Sequence, residues 1–68
     1  GIKIFPNPVI NNININKNVD INVFNYIGDM IISKQNINVL DVSYLIPGIY
    51  LVHIIDNEKT YINRIIKQ

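Results

Sequence analysis

Hydrophobic and polar residues alternate along the first third of the chain, with the spacing of two that is typical of β-strands with one buried face. In residues 11–16 isoleucine alternates with asparagine, and in residues 19–23 valine and isoleucine alternate with aspartate and asparagine. Successive side chains of a strand point to opposite faces, so each segment has an apolar and a polar face. We predict two strands, residues 11–16 and 19–26, joined by a tight turn at Lys17 and Asn18.

Turn-forming residues divide the next part of the chain into further short strands. Residues 2–5 form a short extended run. The Pro-Asn-Pro sequence at residues 6–8 ends that run at an edge or a corner, because proline cannot donate to a strand ladder. Gly28 predicts a hairpin after the second strand. Strands over residues 30–34 and 37–40 follow, and these could be one strand with a bulge between them.

The second half of the chain contains one irregular segment and one strongly apolar strand. Asp41 opens the irregular segment as a turn-capping residue, and Leu45 is expected to be its inward-pointing anchor. Residues 49–55 form the longest apolar run, so we predict a central strand covered on both faces. A turn in which Asn57 adopts left-handed backbone leads into a last strand over residues 60–67.

The pattern as a whole predicts an all-β domain of six to seven short strands. Turn signals at roughly ten-residue spacing are typical of a small antiparallel sandwich or barrel. Isoleucine and valine dominate the apolar residues, and β-branched side chains favour strands. A chain of 68 residues forms one domain at most. Residues 11–16 contain no proline or charge, so we expect them to be an exposed edge that supports a strand-exchanged homodimer.

Charge and composition narrow the functional classes. The net charge is +1 and the six basic residues are scattered, whereas nucleic-acid binders concentrate them on one face. We therefore expect no nucleic-acid partner. No apolar run approaches the ~20 residues of a membrane span. The prolines at positions 6 and 8 interrupt any N-terminal signal-peptide pattern, and the absence of cysteine leaves the cellular compartment open.

The residue types that commonly carry catalysis are isolated in this sequence. His53 is the only histidine and lies in the most apolar strand, without an identifiable partner for nucleophilic or metal chemistry. The acidic residues are dispersed and lack calcium-loop spacing. The six aromatic residues could form a binding platform, although aromatic side chains more often serve packing. We expect no enzymatic activity, no cofactor and no metal site.

Four stretches, taken together and in this order, resemble a known family. They are an aromatic residue followed by Pro-Asn-Pro within residues 4–9, a strand ending in an apolar-Gly turn at residues 23–28, a leucine-containing loop followed by Gly-apolar-Tyr-apolar-apolar at residues 41–52, and a basic-apolar-apolar-basic tail at residues 64–68. They are similar to the C-terminal sorting domain of cargo proteins of the type IX (Por) secretion system of Bacteroidetes. The departures are small: Asp29 replaces a usually basic residue or Gln, and Asn57 replaces a frequent Gly.

The resemblance implies a secretion signal with an immunoglobulin-like antiparallel β-sandwich fold of about seven strands. Such domains end large exported proteins, so residues 1–68 would be a single domain excised from a larger secreted protein. The cargo would cross the periplasm and reach the cell surface or the medium, after outer-membrane translocon components recognise the folded sorting domain. A sortase-like peptidase commonly removes the domain by cutting just upstream of it.

The resemblance also suggests roles for individual residues. Motif or structural roles are expected for Pro6, Asn7, Pro8, Gly28, Asp41, Leu45, Gly48 and Tyr50. The closing residues are expected to be recognised by the translocon: Arg64, Ile65, Ile66, Lys67 and Gln68. Of these, Arg64, Lys67 and the end of the strand are expected to be exposed, so that the tail docks by adding a strand with charged flanks. On this hypothesis, truncating the last few residues should abolish export while leaving most of the fold.

Two other interpretations stay open at this point. A small sandwich module that binds carbohydrate or protein at the cell surface would need an exposed aromatic strip or groove. A structural spacer between domains would be followed by more protein in its parent gene.

Overall fold

One long strand replaces the first two predicted strands. The computed structural model describes all residues from Gly1 to Gln68, and its strands are β1 (Ile4–Phe5), β2 (Asn12–Asn25), β3 (Met30–Asp41), β4 (Gly48–Asp56) and β5 (Lys59–Lys67). The predicted turn at Lys17 and Asn18 is wrong, because β2 continues through both residues. The apolar positions on either side of them are all odd-numbered, so one strand directs all of them to the same buried face. They are Ile13, Ile15, Val19, Ile21 and Val23.

β2 is the strand around which the sheet is built. It pairs along one edge with β3, and along the other edge with β1 and then with β4. Ile4 lies opposite Ile15, whereas the pairing with β4 begins at Asp20. β5 pairs with the far edge of β4, and all these pairings are antiparallel. The all-β prediction is confirmed, as one curled antiparallel sheet with five strands in place of six or seven.

The segment before β2 closes the curl of this sheet. It pairs with β2 through Ile4 and Phe5, and Val9 then forms a parallel bridge with Lys67 of β5. The first residues of the domain therefore contact both the central strand and the last strand. A helix with the length and hydropathy of a membrane span is absent.

Thirteen buried apolar side chains form a single core inside the curl. Those without remaining solvent exposure include Val9, Ile13, Ile21, Val23, Val42, Val52 and Ile54. Val42 follows β3 directly and was not expected in the core. Leu45 is partly buried and packs against this core, which confirms its predicted anchoring role. A fully buried aliphatic side chain contributes about 1.5–3 kcal/mol, so the loop after β3 is held by its own apolar residues.

β4 is a central strand, as predicted, but only one of its faces is covered. Tyr50, Val52 and Ile54 face the core, whereas Ile49 and Leu51 remain 48% and 43% exposed. The prediction of burial on both faces is wrong, because no second layer packs on the outside of the curled sheet. An apolar outer surface results.

Three of the four residues with positive φ shape the turns and the irregularity in β3. Gly28 (φ 97°) lies in the β2–β3 hairpin, and Asn57 (φ 57°) lies in the β4–β5 turn, both as predicted. Asn36 (φ 55°) lies within β3, at a point where two residues of β3, Gln35 and Asn36, lie opposite one residue of β2, Asp20. Such an insertion is a β-bulge, so residues 30–40 are one strand with a bulge between its halves.

The segment 11–16 is not an exposed edge. On one side it pairs with β3, through Ile13 opposite Leu40, and on the other side it pairs with β1. The expectation of an exposed edge is therefore wrong, whereas the strand-exchanged homodimer stays a prediction. The free edges are the outer side of β3, which pairs with β2 alone, and the first half of the outer side of β5.

Candidate recognition surface

The Pro-Asn-Pro corner and the closing residues, which lie at opposite ends of the sequence, meet in the folded domain. The Asn7 side chain accepts a hydrogen bond from the Ile66 N–H (2.9 Å) and donates one to the Arg64 carbonyl (3.0 Å). Val9 continues the contact, donating its N–H to the Ile66 carbonyl (2.8 Å) and accepting from the Gln68 N–H (2.9 Å). We call these four hydrogen bonds the tail clamp.

The tail clamp works because an asparagine side chain carries the same two groups as a peptide bond. Its amide offers one acceptor and a donor, so Asn7 pairs with the outward-facing backbone of β5 as a neighbouring strand would. The prolines on both sides, Pro6 and Pro8, have no N–H to be satisfied. Strand addition along Arg64 to Gln68 is therefore blocked, because Asn7 and Val9 already occupy that edge.

The side chains of the tail alternate between the core and the surface. Ile65 is buried in the core and Lys67 is only 6% exposed, with its Nζ donating to the backbone oxygen of Gln68 (2.8 Å). Arg64 and Gln68 are exposed, and Ile66 is 42% exposed. The expectation that Lys67 flanks a docking strand as an exposed charge is wrong. The accessible part of the tail is the row formed by residues 64, 66 and 68.

A short turn before β4 forms a second structured region. Asp41 Oδ1 accepts hydrogen bonds from the Ser43 hydroxyl (2.6 Å) and the Ser43 N–H (2.9 Å). These bonds, the hydroxyl first, favour the carboxylate and lower the pKa of Asp41. The Leu45 N–H then donates to the Val42 carbonyl (3.0 Å). The expected turn-capping role of Asp41 is confirmed.

Tyr50 fastens the end of this turn to β4. Its ring is buried, and its hydroxyl donates to the Ile46 carbonyl four residues earlier. A buried tyrosine hydroxyl needs such a partner, and the bond holds residues 42–47 close to the start of β4. Gly48, the first residue of β4, leads the chain from the turn into the strand.

Between this turn and the β2–β3 hairpin lies an open groove of about 470 Å³, which we call the apolar groove. It is lined by Asn25, Tyr26, Ile31, Tyr44, Leu45, Ile46, Pro47, Gly48, Ile49 and Tyr50. None of these side chains is charged. Tyr26 is 85% exposed and Ile46 is 78% exposed. The sequence analysis missed the groove, although Tyr44 and Ile46 are apolar side chains in a turn, where polar residues are usual.

The tail clamp and the apolar groove lie at the same end of the domain. Ile49, in the groove, is opposite Ile66 of the tail, and Gly48 is opposite Lys67. Gly1, by contrast, lines a depression with residues of the β4–β5 turn, at the far end of β4. The domain is 30 Å long. Both features are therefore at the end that is remote from the N-terminus.

The expected motif residues thus fall into two groups. The clamp brings together Pro6, Asn7, Pro8 and the tail, and the groove brings together Leu45, Gly48 and Tyr50. Asp41 caps the turn beside the groove, and Gly28 shapes the hairpin beside it without lining it.

The outer face of the sheet carries His53, the one histidine of the chain. Its ring packs against Phe24, with ring centroids 6.1 Å apart, and it is partly exposed as predicted. No three His, Cys, Asp or Glu side chains are grouped closely enough to hold a metal ion.

These features define a class of protein: a small all-β domain whose distinctive parts are a fastened C-terminal strand and an apolar surface beside it. The family model for the secretion system C-terminal sorting domain matches residues 3–68, all but the first two residues of the chain. The chain belongs to this family, which confirms the resemblance seen in the four sequence stretches. None of the curated proteins matches this sequence individually.

Membership of this family gives the domain its function. It is a C-terminal sorting signal of the type IX secretion system, and it directs the protein that carries it to the cell surface or the medium. Such a signal interacts with the type IX secretion machinery.

Proposed function

We propose that outer-membrane translocon components recognise this domain as a folded unit, after its cargo has crossed the periplasm. The observation that carries the proposal is the tail clamp, which makes residues 64–68 part of the sheet rather than a free peptide. The domain is the part that is recognised, and no catalytic step is assigned to it.

The energetic cost of detaching the tail supports folded recognition. Four hydrogen bonds contribute about 0.5–1.5 kcal/mol each, and the burial of Val9 and Ile65 contributes about 1.5–3 kcal/mol each. Releasing the tail would thus cost on the order of 5–12 kcal/mol. A domain of this length has a total stability of roughly 3–10 kcal/mol. A receptor that required an extended tail would have to unfold the whole domain.

We further propose that recognition and processing occur at opposite ends of the domain. A C-terminal signal follows its cargo in the chain, and the start of this domain lies beside the β4–β5 turn. A sortase-like peptidase that cuts upstream of the domain would therefore work far from the tail clamp. The translocon could hold the clamp end while the peptidase releases the cargo.

The test uses a folded periplasmic reporter with residues 1–68 at its C-terminus, expressed in a host with the secretion system. Arg64→Ala and Ile66→Ala change exposed side chains and keep the clamp backbone, whereas Val9→Asp places a charge in the core and opens the clamp. We expect Val9→Asp to unfold the domain and to leave the reporter in the periplasm. The two tail variants should stay folded, with reduced export if the tail row is part of the recognised surface.

Export that does not require the folded state of the domain would contradict the proposal. If the Val9→Asp reporter is unfolded by limited proteolysis and still reaches the medium at the wild-type level, the signal is read as an extended peptide. Truncation after Asn63 tests the same point. The sequence predicts that this truncation leaves most of the fold, whereas from the structure we expect it to unfold the domain, because Asn7 and Val9 lose their hydrogen-bond partners.

A further inference from the structure

The apolar groove has the exposure and chemistry of a binding surface. Large apolar side chains line it on both sides, with Ile31 on β3 and Ile46 on the turn before β4. Its volume of about 470 Å³ lies within the range of about 300–1,000 Å³ that is usual for ligand sites. Burying these side chains against a partner would be favourable, because each now exposes apolar surface to water.

The groove's chemistry selects an uncharged occupant. None of its ten lining residues carries a charge, so a charged group placed there would lose hydration without gaining an ionic partner. The hydroxyls of Tyr26 and Tyr44 are available at its rim, since neither makes a side-chain hydrogen bond and both residues are largely exposed. Tyrosines of this kind combine an apolar contact face with a polar group, which suits a peptide backbone flanked by apolar side chains.

The size and position of the groove argue for a short protein segment. A stable interface between two copies needs about 20–30 residues on each side, and the groove has ten lining residues. One of them, Ile31, belongs to β3, whose outer edge has no partner strand. An extended segment running beside β3 could therefore place apolar side chains in the groove.

The groove also faces away from the cargo. It lies at the start of β4, whereas Gly1 lies beside the end of β4. A large folded cargo that precedes the domain would be attached at the opposite end and would leave this end accessible. A surface that the export machinery uses must satisfy this condition.

We propose that the apolar groove binds an extended, uncharged, apolar segment of a protein of the type IX export machinery. This inference rests on the proposed function, because it names the surface through which the folded domain is recognised. The tail row beside it, with Ile66 opposite Ile49, borders the same contact.

The test compares two exposed isoleucines in the reporter fusion. Ile46 (78% exposed) lies in the groove, and Ile62 (67% exposed) lies on β5 outside it. Both side chains can be replaced by aspartate without burying a charge in the core. We expect Ile46→Asp to lower export about tenfold or more, because a charge must then be desolvated in an apolar contact. Ile62→Asp should be exported like the wild type.

A second measurement identifies the occupant. A photoreactive amino acid at position 46 should give an adduct with an outer-membrane component of the export machinery in exporting cells, and position 62 should not. The groove proposal is overturned if Ile46→Asp and Ile62→Asp are exported equally, or if position 46 crosslinks to a second copy of this chain. Such results would leave folded recognition intact, since that proposal fails only when unfolded Val9→Asp is exported.

Discussion

The tail clamp can be tested by removing one side chain. Asn7→Ala deletes both side-chain hydrogen bonds to β5, while Val9 keeps its two backbone bonds. At about 0.5–1.5 kcal/mol for each bond, the free energy of unfolding should fall by about 1–3 kcal/mol. For a domain of 60–100 residues, 1 kcal/mol shifts the melting temperature by about 4–8 °C. The expected fall is thus on the order of 5–20 °C.

Circular dichroism during thermal and urea unfolding of residues 1–68 would measure this effect. Asn11→Ala is the matched control, because the Asn11 side chain is exposed and makes no hydrogen bond. The control should leave the urea midpoint unchanged. Equal midpoints for Asn7→Ala, Asn11→Ala and the wild type would refute the view that Asn7 fastens the tail.

A conservative variant separates the two bonds of Asn7. Asn7→Asp keeps an acceptor for the Ile66 N–H but turns the second oxygen towards the Arg64 carbonyl, so the donor is lost. Above the ordinary aspartate pKa of about 3.9, we expect this variant to be less stable than the wild type. Protonation restores a donor, so the deficit should shrink at lower pH. A deficit that does not change between pH 7 and pH 3 would contradict this reasoning.

Three further predictions concern the turns and the core. Val42→Ala should lower the free energy of unfolding by about 1–3 kcal/mol, because it leaves a cavity where a fully buried side chain packs; urea unfolding measures it, and an unchanged midpoint would contradict it. The pKa of Asp41 is lowered in the folded state by Ser43, so its contribution to stability is present above the unfolded pKa and is lost as pH falls through the folded pKa. Carboxyl NMR titration should show that Ser43→Ala raises the pKa of Asp41, and no change would refute the hydrogen-bond assignment. Gly28→Ala should destabilise the hairpin by about 1 kcal/mol or more, since Gly28 has φ 97°; Asn57→Gly, at a position that also has positive φ, should be tolerated in the same melting assay.

Local patterns predicted the strands well but not how far each one extends. Alternation predicts strand structure on both sides of Lys17 and Asn18, but this polar pair predicts a turn where β2 is continuous. Ile15 and Val19 are an even number of positions apart, which is the spacing that places two side chains on the same face of one continuous strand. A tight turn between two strands imposes no such spacing. The apolar run of β4 was interpreted as buried on both faces, although hydrophobicity alone does not show whether a second layer exists.

The candidate surface depended on contacts that no local pattern contains. Asn7 bonds to Arg64 and Ile66, which lie 57 and 59 positions further along the chain. Nothing in a Pro-Asn-Pro sequence specifies which strand edge it will contact. The groove likewise combines a hairpin with a distant turn. The family resemblance, by contrast, was carried by short motifs in a fixed order, so the sequence alone was sufficient to recognise it.

The tail clamp joins the beginning of the domain to its last residues, and this has a consequence for biosynthesis. A chain emerges from the ribosome in order, so Asn7 and Val9 must wait for Arg64, Ile66 and Gln68 before the sheet can close. Contacts between such distant residues form late, because closing a long loop is entropically costly. A cargo whose synthesis stops early would carry an unclosed sheet. An export system that accepts only the closed sheet would therefore export only cargo proteins whose synthesis is complete.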